Sequence, residues 1–256
     1  MKHVDLFSGI GGFSIGFERA GIETSVFCEK DAYCQQVLAK HWPEVPLCPD
    51  IHDFPDWWED HKVEGETYVV SAGFPCQPFS FTGKKEGVED ERWLWPETAR
   101  AIRAVRPKYL LLENVAALTT YSDAFGQILS DISHMGFDAE WGVVSASEFG
   151  ALHKRRRVII LSYPNRKYGS EGNKLGNLPV GSGNFKTTRL PRPARSKGWA
   201  TQIAQRASEP AYRRVVNGVP TRLLESRLRA LGNSVYPATT EYYARVIAAT
   251  EARGLF

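Results

Sequence analysis

The stretch GFPCQPFSFTG, Gly73 to Gly83, places a thiol between two prolines, with two hydroxyl side chains just beyond it. A free cysteine is usually a small buried apolar residue. Two features argue for chemistry at Cys76 instead. The preceding run TYVVSAGF, 67–74, is β-branched and aromatic like a buried strand, and it ends in Gly73-Phe74 followed by Pro75, where a central ladder cannot continue. Cys76 is therefore expected just past the carboxyl end of a strand, the edge where open α/β sheets bind ligands. A second apolar run, YLLLENV, 109–115, carries Glu113 and Asn114 to the end of its own strand. Arg155 and Arg157 stand one residue apart before a third run, RVIILSY, and as part of a strand they face one side.

The first strand–turn–helix carries FSGIGGF, whose glycines permit tight turning and close approach of a ligand at a helix N-terminus. A dinucleotide fingerprint wants a further glycine where this chain has Ser14, so nicotinamide and flavin cofactors lose ground. Glu29 follows Gly11 by 18 residues, at the end of the next strand, where a carboxylate accepts hydrogen bonds from ribose hydroxyls. Asp50 and Ile51 are placed to take an adenine, the carboxylate on its exocyclic amine and the isoleucine on its face. An adenosine ligand without a pyrophosphate fits better than a dinucleotide, and S-adenosylmethionine is such a ligand.

These side chains need a scaffold. Strands are predicted at 3–7, 24–29, 67–74, 109–115, 139–146 and 157–163, and helices at 11–21, 31–42, 97–107 and 123–136. The alternation predicts a parallel, helix-covered sheet. With 256 residues, 43% of them hydrophobic, the chain can form one large domain with a smaller lobe. Cys28, Cys34, Cys48 and Cys76 show no CxxC pairing, which argues against a zinc site or a disulfide scaffold. No apolar run approaches the ~18 residues of a membrane span, and no charged leader with an apolar core opens the sequence. A cytoplasmic protein is expected. The net charge of +3 is uneven: residues 165–227 hold 13 Lys and Arg against 3 acidic residues, a local +10 that leaves −7 elsewhere. That segment is rich in glycine and proline, and its charge suits phosphates.

Taken together, these motifs resemble the cytosine-C5 DNA methyltransferase family. The matches run in the family's order: DLFSGIGGF (5–13), Glu29, Asp50-Ile51, GFPCQPFSFTG (73–83), GVEDERWLW (87–95), ENV (113–115), FGALHKRRRVIIL (149–161) and GNSVYP (232–237). The resemblance implies an α/β, Rossmann-like methyltransferase sheet with a small target-recognition lobe. Residues 1–164 and 228–256 would form the catalytic and cofactor-binding domain, and 165–227 the recognition domain. It implies methyl transfer from S-adenosyl-L-methionine, without a metal, to carbon 5 of cytosine in a specific duplex DNA sequence.

In that chemistry Cys76 adds to cytosine carbon 6, making carbon 5 nucleophilic. Glu113 acts as an acid toward ring N3, which requires a raised pKa. Arg155 and Arg157 approach the ring and the carboxylate. Cofactor contacts are implied for Phe7, Gly9, Gly11, Glu29, Asp50, Ile51, Phe74, Leu94, Asn233 and Val235. DNA contacts are implied for Gln77, Ser80, Thr82 and Asn114, with a mobile loop closing over a flipped base. The partner is then double-stranded DNA, with no membrane, and the protein a monomer in the cytoplasm of a bacterium or phage-infected host, as part of a restriction-modification pair.

The chain departs from the family pattern at His153, where glutamine is usual, and at Pro210-Ala211-Tyr212, where Pro-Arg-Glu is usual. The short recognition segment resembles that of compact phage or prophage members. An RNA (tRNA) cytosine-C5 methyltransferase and a nonenzymatic DNA-binding relative are the alternatives.

Overall fold

A computed structural model describes residues 1–75, 93–165, 226 and 229–254. Seven strands form one sheet: β1 (Lys2–Leu6), β2 (Thr24–Cys28), β3 (Leu47–Cys48), β4 (Tyr68–Ala72), β5 (Tyr109–Val115), β6 (Phe137–Ser145) and β7 (Arg156–Pro164). Their spatial order is β3-β2-β1-β4-β5-β7-β6. The helices are α1 (Gly12–Arg19), α2 (Ala32–His41), α3 (Phe54–His61), α4 (Trp95–Val105), α5 (Ser122–His134) and α6 (Pro237–Ala252). Proline opens the first turn of α3, α4 and α6, where its missing N–H costs nothing. Asp31 caps α2 by accepting from the Cys34 amide at 3.0 Å, as the acidic start of that segment predicts.

Strand residues alternate between two apolar layers, as the two-residue period of a strand requires. Val70, Leu110, Leu112 and Ile160 pack in the layer that holds α3, α4 and α5, while Val69, Leu111 and Ile159 pack in the layer that holds α1 and α6. The second layer depends on a close approach between the two ends of the chain. A Cβ on Gly16 would stand 2.0 Å from Thr240 Oγ1, and one on Gly12 would stand 2.7 Å from the Val235 carbonyl oxygen. Only glycine admits α6 to that distance from α1. Tyr109 and Lys108, at the start of β5, hold Glu251 at the far end of α6 at 2.9 and 2.8 Å.

The expectation of a wholly parallel sheet is corrected at one edge. Strands β1 to β5 pair in parallel, but β7 is antiparallel to both β5 and β6. The link from β6 to β7 contains a single 3₁₀ turn, Ala146–Phe149, and no crossover helix, so the chain reverses direction and β7 fills the place beside β5. Helices α3 and α6 carried no sequence expectation. Among the described residues, no helix is long and apolar enough to cross a membrane. The segment 165–227, expected as a recognition lobe, lies outside the described residues except for Asn165 and Ser226.

Candidate active site

Because β1, β2, β4 and β5 are parallel, their carboxyl ends share one edge of the sheet, and the loops that leave them meet there. The reversal of β7 brings its first residues to that same edge. A cavity of about 450 Å³ lies along it. Phe7 and Gly9 line it from the loop after β1, Glu29 from the end of β2, and Asp50 and Ile51 from the segment after β3. Gly73, Phe74 and Pro75 line it after β4, Glu113 and Asn114 from β5, and Arg155 and Arg157 from the start of β7. Leu94 and Asn233 complete the expected set that lines it.

The glycine-rich loop is backbone under constraint. Phe7 has φ 56°, a conformation that costs a non-glycine residue roughly 1–2 kcal/mol. Gly9 at φ 55° and Gly11 at φ 84° adopt the same hand without that cost. Ser8 ties the loop down, its hydroxyl donating to the Asp5 carbonyl at 2.6 Å. Glu29 fixes its height: one oxygen accepts from the Gly9 amide at 2.7 Å and the other from the Asp31 amide at 2.7 Å. Burial raises the Glu29 pKa, and these amides act in the opposite sense. Asp50 is held the other way, its carboxyl kept well below the usual range by Lys30 at 2.8 Å and His52 at 2.7 Å.

Glu113 is 7% exposed and faces two guanidinium groups. Its pair partner on β7 is Ile159, so Arg157, two residues earlier, is its diagonal neighbour on the same face. Arg157 Nε stands 2.8 Å from Glu113 Oε1, an ion pair, and among the described residues that buried oxygen has no aligned hydrogen bond. Burial raises the Glu113 pKa against the opposing pull of Arg157 and then Arg155. Burial also lowers the pKa of Arg155, with Arg157 adding to the effect and Glu113 opposing it. Arg155 donates from Nη1 to the Gly232 carbonyl, joining the helical turn at 229–233 to this edge, while its buried Nε has no hydrogen-bond partner among the described residues.

Asn114 acts on the neighbouring strand end. Its Nδ2 donates to the Phe74 carbonyl at 2.9 Å and its Oδ1 accepts from the Val115 amide at 2.8 Å, so the side chain cross-braces β5 and the residues that lead to Cys76. A Cβ on Gly73 would lie 3.7 Å from Glu113 Oε2, so that backbone runs in contact with the carboxyl group. Cys76, Gln77, Ser80 and Thr82 lie outside the described residues.

Gly11 and Val235 stand apart from the lining. Gly11 ends the loop under the Trp42 ring, 2.6 Å from where a Cβ would be, and Val235 packs against α1 through Gly12. Sequence reasoning missed Lys30, His52, Ser226 and Arg229, which line the cavity. Lys30 directly follows Glu29 in the sequence, which was a signal for it; nothing there signalled the other three. Among the described residues no cluster of His, Cys, Asp and Glu could hold a metal ion.

The cavity suits a nucleoside-sized ligand. Its volume falls within the roughly 300–1,000 Å³ usual for small-molecule sites. Each Glu29 oxygen uses one lone pair on an amide and keeps capacity for hydroxyl donors. Phe7 and Ile51 offer apolar faces between those carboxylates.

Known proteins share this arrangement of sequence. The chain is 37% identical over 166 residues to the type II methyltransferase M.NgoBI of Neisseria gonorrhoeae, an alignment covering 63% of this chain and 50% of that one. It is 38% identical over 170 residues to the type II methyltransferase M.BanI of Aneurinibacillus aneurinilyticus, covering 63% and 38%. It spans about half the length, or less, of the curated relatives it matches. The fold is also that of the S. pombe Dnmt2 methyltransferase, with a TM-score of 0.53 at 19% identity over 64% of this chain and 51% of that one. The sequence matches the C-5 cytosine-specific DNA methylase family over residues 1–204. With that match spanning the whole parallel sheet and both strands of the antiparallel edge, the chain belongs to the C-5 cytosine-specific DNA methylases.

Proposed function

We propose that the chain transfers a methyl group to carbon 5 of cytosine in duplex DNA. The observation that carries this reading is the buried carboxyl of Glu113, paired with Arg157 at 2.8 Å on the sheet edge to which β4 delivers Pro75 and then Cys76. S-adenosylmethionine, held by Phe7, Gly9, Glu29, Asp50, Ile51 and Asn233, would supply an electrophilic methyl group.

Carbon 5 of cytosine is a poor nucleophile. The Cys76 thiolate adds to carbon 6, and its electron pair, pushed through the ring, gives carbon 5 enamine character. Glu113 keeps its proton to a higher pH than an ordinary carboxyl and donates it toward ring N3, relieving the charge that addition places there. Arg157 orients that carboxyl, and Arg155 adds positive charge beside the ring oxygen. Once carbon 5 carries its new substituent it loses its proton to a base, and the thiolate leaves by elimination.

The target base must leave the duplex to reach this edge, at an unstacking cost of a few kcal/mol. Gln77, Ser80 and Thr82 are assigned to DNA in that process, and Asn114 to bracing the loop that carries them. The basic segment 165–227 is assigned to sequence recognition, with phosphate contacts setting register and arginines reading guanine edges. Residues 1–164 and 228–256 then form the catalytic unit, acting as a monomer in the cytoplasm.

Duplex DNA containing 5-fluorocytosine tests the reading. With the methyl donor present the protein should form a denaturation-resistant complex, because fluorine blocks the final elimination. Cys76→Ser should form none. Trapping by tRNA and not by duplex DNA would replace the DNA assignment with an RNA one, and trapping by Cys76→Ser would remove the thiol from the mechanism.

A further inference from the structure

Beneath the glycine-rich loop lies a row of buried polar side chains that the transfer chemistry does not use. His3 on β1 is fully buried, stacked on Phe17 of α1 with ring centroids 4.0 Å apart. Its Nδ1 stands 2.9 Å from Thr24 Oγ1 on β2, and its Nε2 stands 2.8 Å from Ser71 Oγ on β4. Ser71 Oγ is in turn 2.9 Å from Asp5 Oδ1, and Ser14 Oγ on α1 is 2.7 Å from Asp5 Oδ2.

Burial pushes the Asp5 carboxyl up to about 7, against the opposing pull of Ser14 and Ser71, so above that pH it is ionised and hydrogen-bond accounting gives the row a single direction. An ionised carboxylate only accepts, so Ser71 and Ser14 both donate to Asp5. The Ser71 oxygen is then free to accept, and His3 donates to it from Nε2–H. Burial pushes the His3 pKa down to about 3, so the ring is neutral and its other nitrogen accepts. The Thr24 hydroxyl supplies that hydrogen. Every member is satisfied, as buried polar groups require.

The row crosses the places where the active-site pieces are attached. Thr24 opens the strand that ends before Glu29, His3 and Asp5 lie in the strand that ends before Phe7, and Ser14 sits in the first turns of α1. Ser71 is two residues before Gly73 and five before Cys76. The β1–β2 ladder is irregular at this point, pairing His3 with Thr24 and then Val4 with Val26. The β1–β4 ladder is regular from Lys2–Tyr68 to Leu6–Ala72, so the His3–Thr24 link bridges the irregular pair and the His3–Ser71 link adds a side-chain tie across the regular one.

We propose that His3 is a positioning residue. Through Ser71 and Asp5 it fixes the carboxyl end of β4, where Gly73, Phe74 and Pro75 line the cavity, against the glycine-rich loop. The proposal rests on the methyl-transfer reading above. It matters because a displacement of about 1 Å between reacting groups costs about 10²-fold in rate, and hydrogen bonds between strands resist that shear.

His3→Phe keeps a ring against Phe17 and removes both hydrogen bonds; His3→Gln restores a donor toward Ser71. Steady-state kinetics should show kcat for His3→Phe lowered about tenfold, with KM for the methyl donor and for DNA changed less than about twofold, and His3→Gln recovering most of the loss. A merely structural role would lower the melting temperature and leave kcat of the folded protein unchanged. Independently of activity, ¹⁵N shifts of the His3 ring at pH 8 should report the Nε2–H tautomer, changing to Nδ1–H in Ser71→Ala. An active wild type with an equally active His3→Phe, or a wild-type Nδ1–H tautomer, would overturn the inference. A wild type with no methyl transfer would instead remove the reading on which it rests, whatever the tautomer.

Discussion

Glu29 and Glu113 end two strands of one sheet and line one cavity, yet their oxygens are in opposite states. Both Glu29 oxygens hold backbone amides, whereas Glu113 has a buried oxygen that, among the described residues, accepts no aligned hydrogen bond and has two guanidinium groups beside it. A saturated carboxylate defines the position of the backbone around it. An unsaturated one, kept buried at the expense of stability, is available to a ligand. On the proposed chemistry, the Glu29 end would set shape and the Glu113 end would react.

The strongest way to break that division is Glu113→Gln. Methyl transfer should fall by about 10² or more while methyl-donor binding, measured by calorimetry, holds steady; a wild-type rate would move the acid elsewhere. The same variant has a stability signature. A carboxyl whose folded pKa is raised stabilises the protein most below its ordinary value near 4.5, and that contribution disappears as pH rises through the raised value. The melting temperature of Glu113→Gln should therefore gain on the wild type as pH climbs from 4 toward neutrality. A gap that closes with rising pH would contradict the burial argument.

Arg157→Ala should cost about tenfold in rate, the worth of one pKa unit of interaction. Without the nearby charge the Glu113 pKa rises further, so the alkaline limb of the pH–rate profile should move to higher pH; a shift to lower pH would reverse the assigned sign. Glu29→Gln sharpens the other side of the comparison. An amide has one acceptor where the carboxylate uses two, so one backbone N–H loses its partner, at a cost of about 1 kcal/mol. Donor affinity should weaken about fivefold while kcat at saturation stays within twofold, and a drop confined to kcat would erase the distinction between the two ends. Lys30→Met should do least. Its partner Asp50 also holds His52, and Lys30 is 77% exposed, so donor affinity should change less than about twofold.

Most of this edge was legible in the sequence because each motif sits at the end of an apolar run. The strands at 109–115 and 157–163 were visible from their composition, and Glu113 and Arg157 from their places at the ends of those runs. The direction of β7 was not visible. An apolar strand reads the same whether it runs with or against its neighbour, and only the absence of a crossover helix between 146 and 155 signals reversal. That reversal decides which charges meet Glu113, since a parallel β7 would carry Arg155 and Arg157 to the opposite edge, away from it. Cavity residues such as Arg229 and Ser226 were illegible for another reason: they arrive from far along the chain through the packing of a turn, and no local pattern encodes it.

The glycine-mediated seam between α1 and α6 has a consequence for how the protein is made. Residues 12 and 16 need partners more than 220 positions later, so a chain emerging from the ribosome presents one apolar layer of its sheet uncovered until α6 has been synthesised. In the interval the face containing Val69, Leu111 and Ile159 is exposed to other nascent chains, a hazard of late-closing contacts. Stalling or cleavage anywhere before residue 237 would leave a cofactor loop with nothing to lean on, so incomplete copies would be marked for aggregation and not for partial activity.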